Sequence, residues 1–251
     1  MKKQINNLDI FYQEFGRGKN TILLLHGWGQ SHAFWQNVIS RFSKEYHLFV
    51  LDLPGFGLSQ EPPGIWSIKE YAGFVHEFVS TLHISAPIII GHSFGGRIAT
   101  VYAAEYPIKK LVLYSNGGLP QRSIKILFFK NFITQWGKYL FPNLLYRLHT
   151  ILFKPKVYKN NIIIERKRSR RVLDIYTQPF PNLQKYLEKI TVPTLIIAGK
   201  SDCFVSPHMG RRLHEVIEGS QLVEVPNATH FVHLEYPEIF YSEIVRFLSQ
   251  K

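Results

Sequence analysis

The chain has 251 residues, 45% of them hydrophobic and 14% aromatic, enough to bury one large core in a single compact unit. Its formal charge is +12, from 30 Lys+Arg against 18 Asp+Glu, and the lone cysteine, Cys203, excludes an intrachain disulfide. No run approaches the roughly 18 apolar residues of a membrane-spanning helix, and Gln4-Ile5-Asn6-Asn7-Leu8-Asp9 supplies no apolar signal-peptide core after Met1-Lys2-Lys3, so a cytoplasmic location is expected.

Taken in chain order, the alternating stretch from Ile5 to Phe15, followed by Gly16 and Gly18, predicts an antiparallel edge hairpin. Short continuous apolar runs come next: Thr21 to Leu25, His47 to Leu51, Pro87 to Ile90, Leu111 to Tyr114, Thr194 to Ala198 and Gln221 to Val225. Runs apolar on both faces, with helical patterns between them, fit a mostly parallel central sheet flanked by helices. The fold class is α/β. Between Gly118 and Thr191 the alternation breaks, and the sequence becomes helical, basic and aromatic, punctuated by Pro142, Pro155, Pro179 and Pro181. The expected organisation is a core from residues 1–118, an inserted helical cap from 119–190, and the rest of the core from 191–251.

The charge is confined to that insertion. Between Gln121 and Ile190, fifteen Lys or Arg stand against Glu165, Asp174 and Glu188, an excess equal to that of the whole chain. The density peaks in Glu165-Arg166-Lys167-Arg168-Ser169-Arg170-Arg171, and the remaining surface reads as a balanced mixture. Nucleic-acid binding is accordingly not expected.

The chemistry is concentrated at strand ends. A serine needs an adjacent base and an exposed hydroxyl to act as a nucleophile. The run Pro87 to Ile90 leads into Gly91-His92-Ser93-Phe94-Gly95-Gly96, and a helical pattern from Arg97 to Glu105 follows, which is the strand-turn-helix context of a nucleophile elbow. His26-Gly27-Trp28-Gly29 directly follows the strand Thr21 to Leu25. By position, the Trp28 and Phe94 amides are the expected oxyanion donors. In the order serine, acid, base, Asp202 follows the strand ending at Ala198 and His230 follows the strand ending at Val225. Asp202 also suits a turn or helix cap, and His233, three residues beyond His230, is a competing base. No His-Glu-x-x-His or comparable ligand cluster is present, so neither a metal nor another cofactor is expected.

These residues resemble the α/β-hydrolase family over essentially the whole chain. Five blocks occur in family order: His26-Gly27-Trp28-Gly29; Asp52-Leu53-Pro54-Gly55-Phe56-Gly57-Leu58-Ser59; Gly91 to Gly96; Gly199-Lys200-Ser201-Asp202; and His230-Phe231-Val232-His233-Leu234-Glu235-Tyr236-Pro237. The resemblance implies a serine hydrolase, carboxylesterase-like, with the triad Ser93, Asp202 and His230. A serine at position 93 separates the chain from the branches with an aspartate nucleophile, the haloalkane dehalogenases and epoxide hydrolases. Two of the blocks look like those of carboxylesterases acting on pimeloyl-acyl-carrier-protein methyl ester. Carbon–carbon hydrolases of the meta-cleavage type share the triad, but their Pro-Gly extension after His-Gly is replaced here by Gln30-Ser31. The family's usual small residue before the histidine is here Thr229, and Asp52 looks structural.

A cap of this kind roofs the pocket in the family. Phe128, Phe129, Phe132 and Trp136 are candidates to meet an apolar acyl chain, as is Phe231 beside the histidine, although helix-spaced aromatics also serve packing. The basic residues have three readings. They form a solvated face of an enzyme for small neutral esters, they dock an acidic carrier protein through Arg166, Lys167, Arg168, Arg170 and Arg171, or the stretch from Ser123 to Lys156 lies on an anionic membrane.

Overall fold

The computed structural model describes residues 1–120 and 181–250. Phe128, Phe129, Phe132, Trp136 and the basic cluster around Arg168 lie outside the described residues. The hairpin at the start pairs β1 (Lys2–Ile5) with β2 (Leu8–Phe15), so it begins three residues earlier than the alternation alone indicates. Asn6 and Asn7 turn it at φ of 48° and 60°, the left-handed conformation that matches a two-residue loop to the twist of its strands.

The sheet continues with β3 (Thr21–Leu25), β4 (His47–Leu51), β5 (Ile88–His92), β6 (Lys110–Tyr114), β7 (Thr194–Gly199) and β8 (Gln221–Val225). Spatial order is β1-β2-β4-β3-β5-β6-β7-β8. The pairs β1·β2 and β2·β4 are antiparallel, and every pair from β4 to β8 is parallel. This is the mostly parallel α/β sheet that the apolar runs predict.

Period-two alternation divides each strand between two cores. Leu23, Leu25, Ile89, Leu111 and Leu113 face one core, which α2 (Ile68–Thr81), α3 (Phe94–Glu105), α4 (Gln184–Leu187) and α5 (His208–Val216) cover. Ile22, Leu24, Ile88, Ile90, Val112 and Tyr114 face the other, beneath a 3-10 turn (His32–Trp35), α1 (Gln36–Phe42), α6 (Val232–Glu235) and α7 (Pro237–Ser249). The helix α2 begins with a reciprocal cap, in which Ser67 Oγ accepts from Glu70 N–H and Glu70 accepts from Ser67 N–H.

The chain is already back in the core at Leu183. Its amide donates to the Gly118 carbonyl at 2.8 Å, and Leu183, Leu187 and Ile190 are buried with Leu119. The last residues assigned to the insertion therefore pack as part of the α/β layer. No described helix is long and apolar enough to cross a membrane.

Candidate active site

At the carboxyl end of the sheet, β5 runs into α3 without an intervening loop. Ser93 sits at the junction with φ 50° and ψ −106°, a conformation costly for a residue with a Cβ, on the order of 1–3 kcal/mol. The turn is held from both sides. Ser93 N–H donates to the Tyr114 carbonyl of β6 at 3.0 Å, and the Ser93 carbonyl accepts from Arg97 N–H at 3.1 Å. The side chain is half-buried and stands at the positive end of a twelve-residue helix, where developing negative charge is favoured.

The elbow also needs close approach. A Cβ on Gly95 would lie 2.4 Å from the Leu25 carbonyl oxygen and 2.6 Å from that of His26, so only glycine lets α3 start against the end of β3. That contact brings the loop at Trp28 to Phe94. The Trp28 and Phe94 rings meet edge-on at 5.3 Å, and Phe56 and Tyr71 enclose Phe94 at 6.0 and 5.2 Å. Phe94 N–H, the first of its helix, has no acceptor among the described residues. The structure thus brings together the two residues expected to form the oxyanion hole.

His26 holds that loop. Leu53 N–H donates to His26 Nε2 at 3.0 Å, so the proton is on Nδ1, which donates to the Gly27 carbonyl at 2.8 Å. Gly27 N–H in turn donates to Gln30 Oε1 at 2.8 Å. Asp52 is buried and structural, with its carboxylate accepting from His32 N–H and, at 2.9 Å, from Leu58 N–H. It shapes the turn after β4.

Asp202 and His230 meet from two other loops. A Cβ on Gly199 would lie 2.2 Å from the Thr229 carbonyl oxygen, and Ser201 N–H donates to the Ala228 carbonyl at 2.8 Å. The ends of β7 and β8 are thereby clamped together. Asp202 Oδ2 accepts from His230 Nδ1 at 2.7 Å, while Oδ1 accepts from Phe204 N–H and Val205 N–H at 2.8 and 3.0 Å. Both side chains are almost fully buried. A carboxylate fixed in this way leaves His230 Nε2 with its lone pair, as a general base requires. Thr229 keeps the loop in shape rather than disturbing it, since its N–H and hydroxyl both donate to the Glu235 carboxylate, at 2.7 and 2.6 Å.

His230 is tied to the residue before Ser93: His92 Nε2 lies 3.1 Å from the His230 carbonyl oxygen, and its ring centroid is 4.7 Å from that of His230. Among the described residues Ser93 Oγ makes no hydrogen bond, a common feature of unliganded sites, where such bonds close only with substrate. His233 is not placed as a base. It is buried, its Nδ1 lies 2.9 Å from Tyr114 Oη and its Nε2 3.1 Å from the Phe34 carbonyl. Burial pushes its pKa down to about 3.

Phe231 packs between Phe34, Phe204 and His230. Sequence reasoning misses Phe204, an exposed ring 5.1 Å from His230, and also Gln30, His92 and Tyr114. The position of His92 directly before the serine is the one signal that points to any of them.

Fold and site together define the class. Residues 22–243 match the model of the alpha/beta hydrolase family, and the chain belongs to it; its class is hydrolase. It is 26% identical over 270 residues to YugF, an uncharacterized hydrolase of Bacillus subtilis (strain 168), covering 98% of this chain and 96% of that one. It is 28% identical over 273 residues to the 2-hydroxy-6-oxononadienedioate/2-hydroxy-6-oxononatrienedioate hydrolase of Escherichia coli (strain K12), covering 97% and 92%. Among solved structures, a membrane phospholipase A described as a bacterial virulence factor superposes with a TM-score of 0.83 at 26% identity, over 99% of this chain and 84% of the other.

Proposed function

We propose that the protein hydrolyses carboxylic esters through an acyl-enzyme on Ser93. The observation that carries this reading is the buried Asp202–His230 pair, with its 2.7 Å bond, on a loop whose His230 carbonyl lies 3.1 Å from the ring of His92, the residue before the strained Ser93 at its helix N-terminus. Ser93 Oγ attacks the ester carbonyl while His230 Nε2 takes its proton, and Asp202 stabilises the imidazolium. The tetrahedral oxyanion is met by Trp28 and Phe94 N–H groups. His230 then protonates the leaving alcohol, and a water activated by the same imidazole releases the acid. No step calls for a cofactor.

A series of p-nitrophenyl esters of increasing acyl length tests the reaction and measures pocket depth together. Native protein turns over at least one member, and Ser93→Ala turns over none. Turnover by Ser93→Ala equal to native contradicts the reading.

The E. coli relative supports a second reading, in which the same triad cleaves a carbon–carbon bond in a hydroxy-oxo dienedioate. Activity on that compound without activity on any ester would favour it. For the substrate's partner, a small neutral ester is the first reading. An acidic carrier protein docking on Arg166 to Arg171 is the second. An anionic membrane surface is the third, and the likeness to a membrane phospholipase supports it.

A further inference from the structure

Beneath the loop of His230 lies a buried cluster that the proposed reaction does not use. His92 Nδ1 is 3.0 Å from Gln30 Oε1, and its Nε2 is 3.1 Å from the His230 carbonyl oxygen. Tyr114 Oη lies 3.1 Å from that same oxygen and 2.9 Å from His233 Nδ1, and accepts from His233 N–H at 3.3 Å. His233 Nε2 faces the Phe34 carbonyl at 3.1 Å. His92 and His233 are both at most 1% exposed.

The Phe34 carbonyl only accepts, so His233 carries its proton on Nε2 and a lone pair on Nδ1. Tyr114 has one hydroxyl proton, which the His230 carbonyl and His233 Nδ1 both face. If it donates to the His230 carbonyl and His92 donates to Gln30, the lone pairs of His233 Nδ1 and His92 Nε2 are both buried without donors. If it donates to His233 Nδ1, a single lone pair is left so, His92 Nδ1 facing Gln30 Oε1 or His92 Nε2 facing the His230 carbonyl, and unsatisfied buried groups are the costly ones. Gln30 Oε1 already accepts from Gly27 N–H at 2.8 Å, so the proton on His92 Nε2, donated to the His230 carbonyl, leaves neither oxygen without a donor.

We propose that His92 is a positioning residue whose Nε2–H, by holding the His230 backbone carbonyl, sets the distance between the base and the nucleophile. This rests on the acyl-enzyme reading above. His92 is joined to Ser93 by one peptide bond and to His230 by one hydrogen bond, so one side chain links elbow and base. The site also demands that this link be neutral. A second cation 4.7 Å from the His230 ring would oppose formation of the imidazolium. Burial, His230, His233 and His26 hold the pKa of His92 well below the ordinary histidine value, with neutral Tyr114 on its other side.

The test compares His92→Leu with His92→Gln, whose longer amide can donate toward the His230 carbonyl, and with His92→Asn, whose shorter amide cannot. Two readouts are taken: kcat and KM on p-nitrophenyl acetate per serine titrated by a fluorophosphonate, and the downfield proton resonance of His230 Nδ1–H against Asp202. Misplacing a catalytic group by an ångström costs up to about a hundredfold. His92→Leu and His92→Asn are therefore expected to lose about tenfold or more in kcat per titrated site, with KM within about twofold, and to broaden or shift the resonance. His92→Gln restores both. Equal behaviour of the Gln and Asn variants, or an unchanged kcat and resonance in His92→Leu, overturns the proposal, and should the Leu variant not fold, the Gln and Asn pair decides it. If native protein neither labels nor turns over, the acyl-enzyme reading fails on its own while the resonance still reports on His92.

Discussion

An ionised carboxylate accepts hydrogen bonds and never donates one, so Asp202 determines which nitrogen of His230 is protonated. Asparagine in its place presents an amide that can donate, and the ring then turns its lone pair inward. Asp202→Asn is expected to lower kcat by about 10³–10⁴-fold at little cost in KM, measured with a p-nitrophenyl ester at neutral pH. Retention of more than a tenth of the native kcat would remove Asp202 from the proposed triad. Asp202 and His230, the proposed acid and base, are legible as candidates in the sequence because each follows a recognisable strand. The roles of His92, Tyr114 and Gln30 are not legible there, because they depend on contacts between β5, β6 and loops far apart in the chain. Hydrogen bonding, not burial, sets His230 apart from His233 as the proposed base: Tyr114 and Phe34 face both nitrogens of His233, whereas Asp202 takes Nδ1 of His230.

At the scale of elements, the site depends on two places where backbone meets backbone. Gly95 admits β3 against α3, and Gly199 admits the His230 loop against β7. Alanine at either position forces the facing carbonyl away, and overpacking of this kind costs about 1–3 kcal/mol. Gly95→Ala is expected to lower the unfolding free energy by that amount, seen as a lower urea midpoint, and to reduce kcat as well, because the displaced loop carries Trp28. An unchanged midpoint would show that the loop yields freely. The strands β3 to β7 are readable because each is largely buried and apolar over four or five residues, whereas β8 is half-buried at the sheet edge and carries Gln221 and Glu224. The first hairpin starts earlier than its alternation indicates because Lys2 and Gln4 are exposed on an edge strand, where little apolar pattern is required. The return to the core at Leu183 was hidden, since three apolar residues spaced along a basic segment resemble any amphipathic turn.

Over the whole molecule, buried neutral histidines make stability depend on pH. The unfolded chain binds protons at His92 and His233 below a pKa of about 6.5, whereas the folded chain does not until far lower pH, since burial depresses both. Unfolding free energy is therefore expected to fall as pH drops below about 6.5, by up to roughly 1.4 kcal/mol per pH unit for each histidine, with the His233 contribution persisting until about pH 3. Urea denaturation at pH 7, 6 and 5 measures the slope, and a His233→Asn variant should remove about half of it. A slope of zero in this range contradicts the assignment of both as buried and neutral. Charge is a second whole-molecule property. Reversing Arg168, Arg170 and Arg171 should slow turnover of a carrier-protein-borne ester while sparing a small one if the basic segment docks an acidic partner; equal effects on both contradict that reading. Co-sedimentation with anionic vesicles at low salt supports the membrane reading, and absence from the pellet counts against it. The proposed reaction turns on a covalent intermediate at Ser93. Native protein mixed with a p-nitrophenyl ester and quenched in acid within the first turnover should gain the mass of one acyl group on the peptide containing Ser93, together with a burst of p-nitrophenol close to one per active site. Turnover with neither the burst nor the adduct would contradict the account.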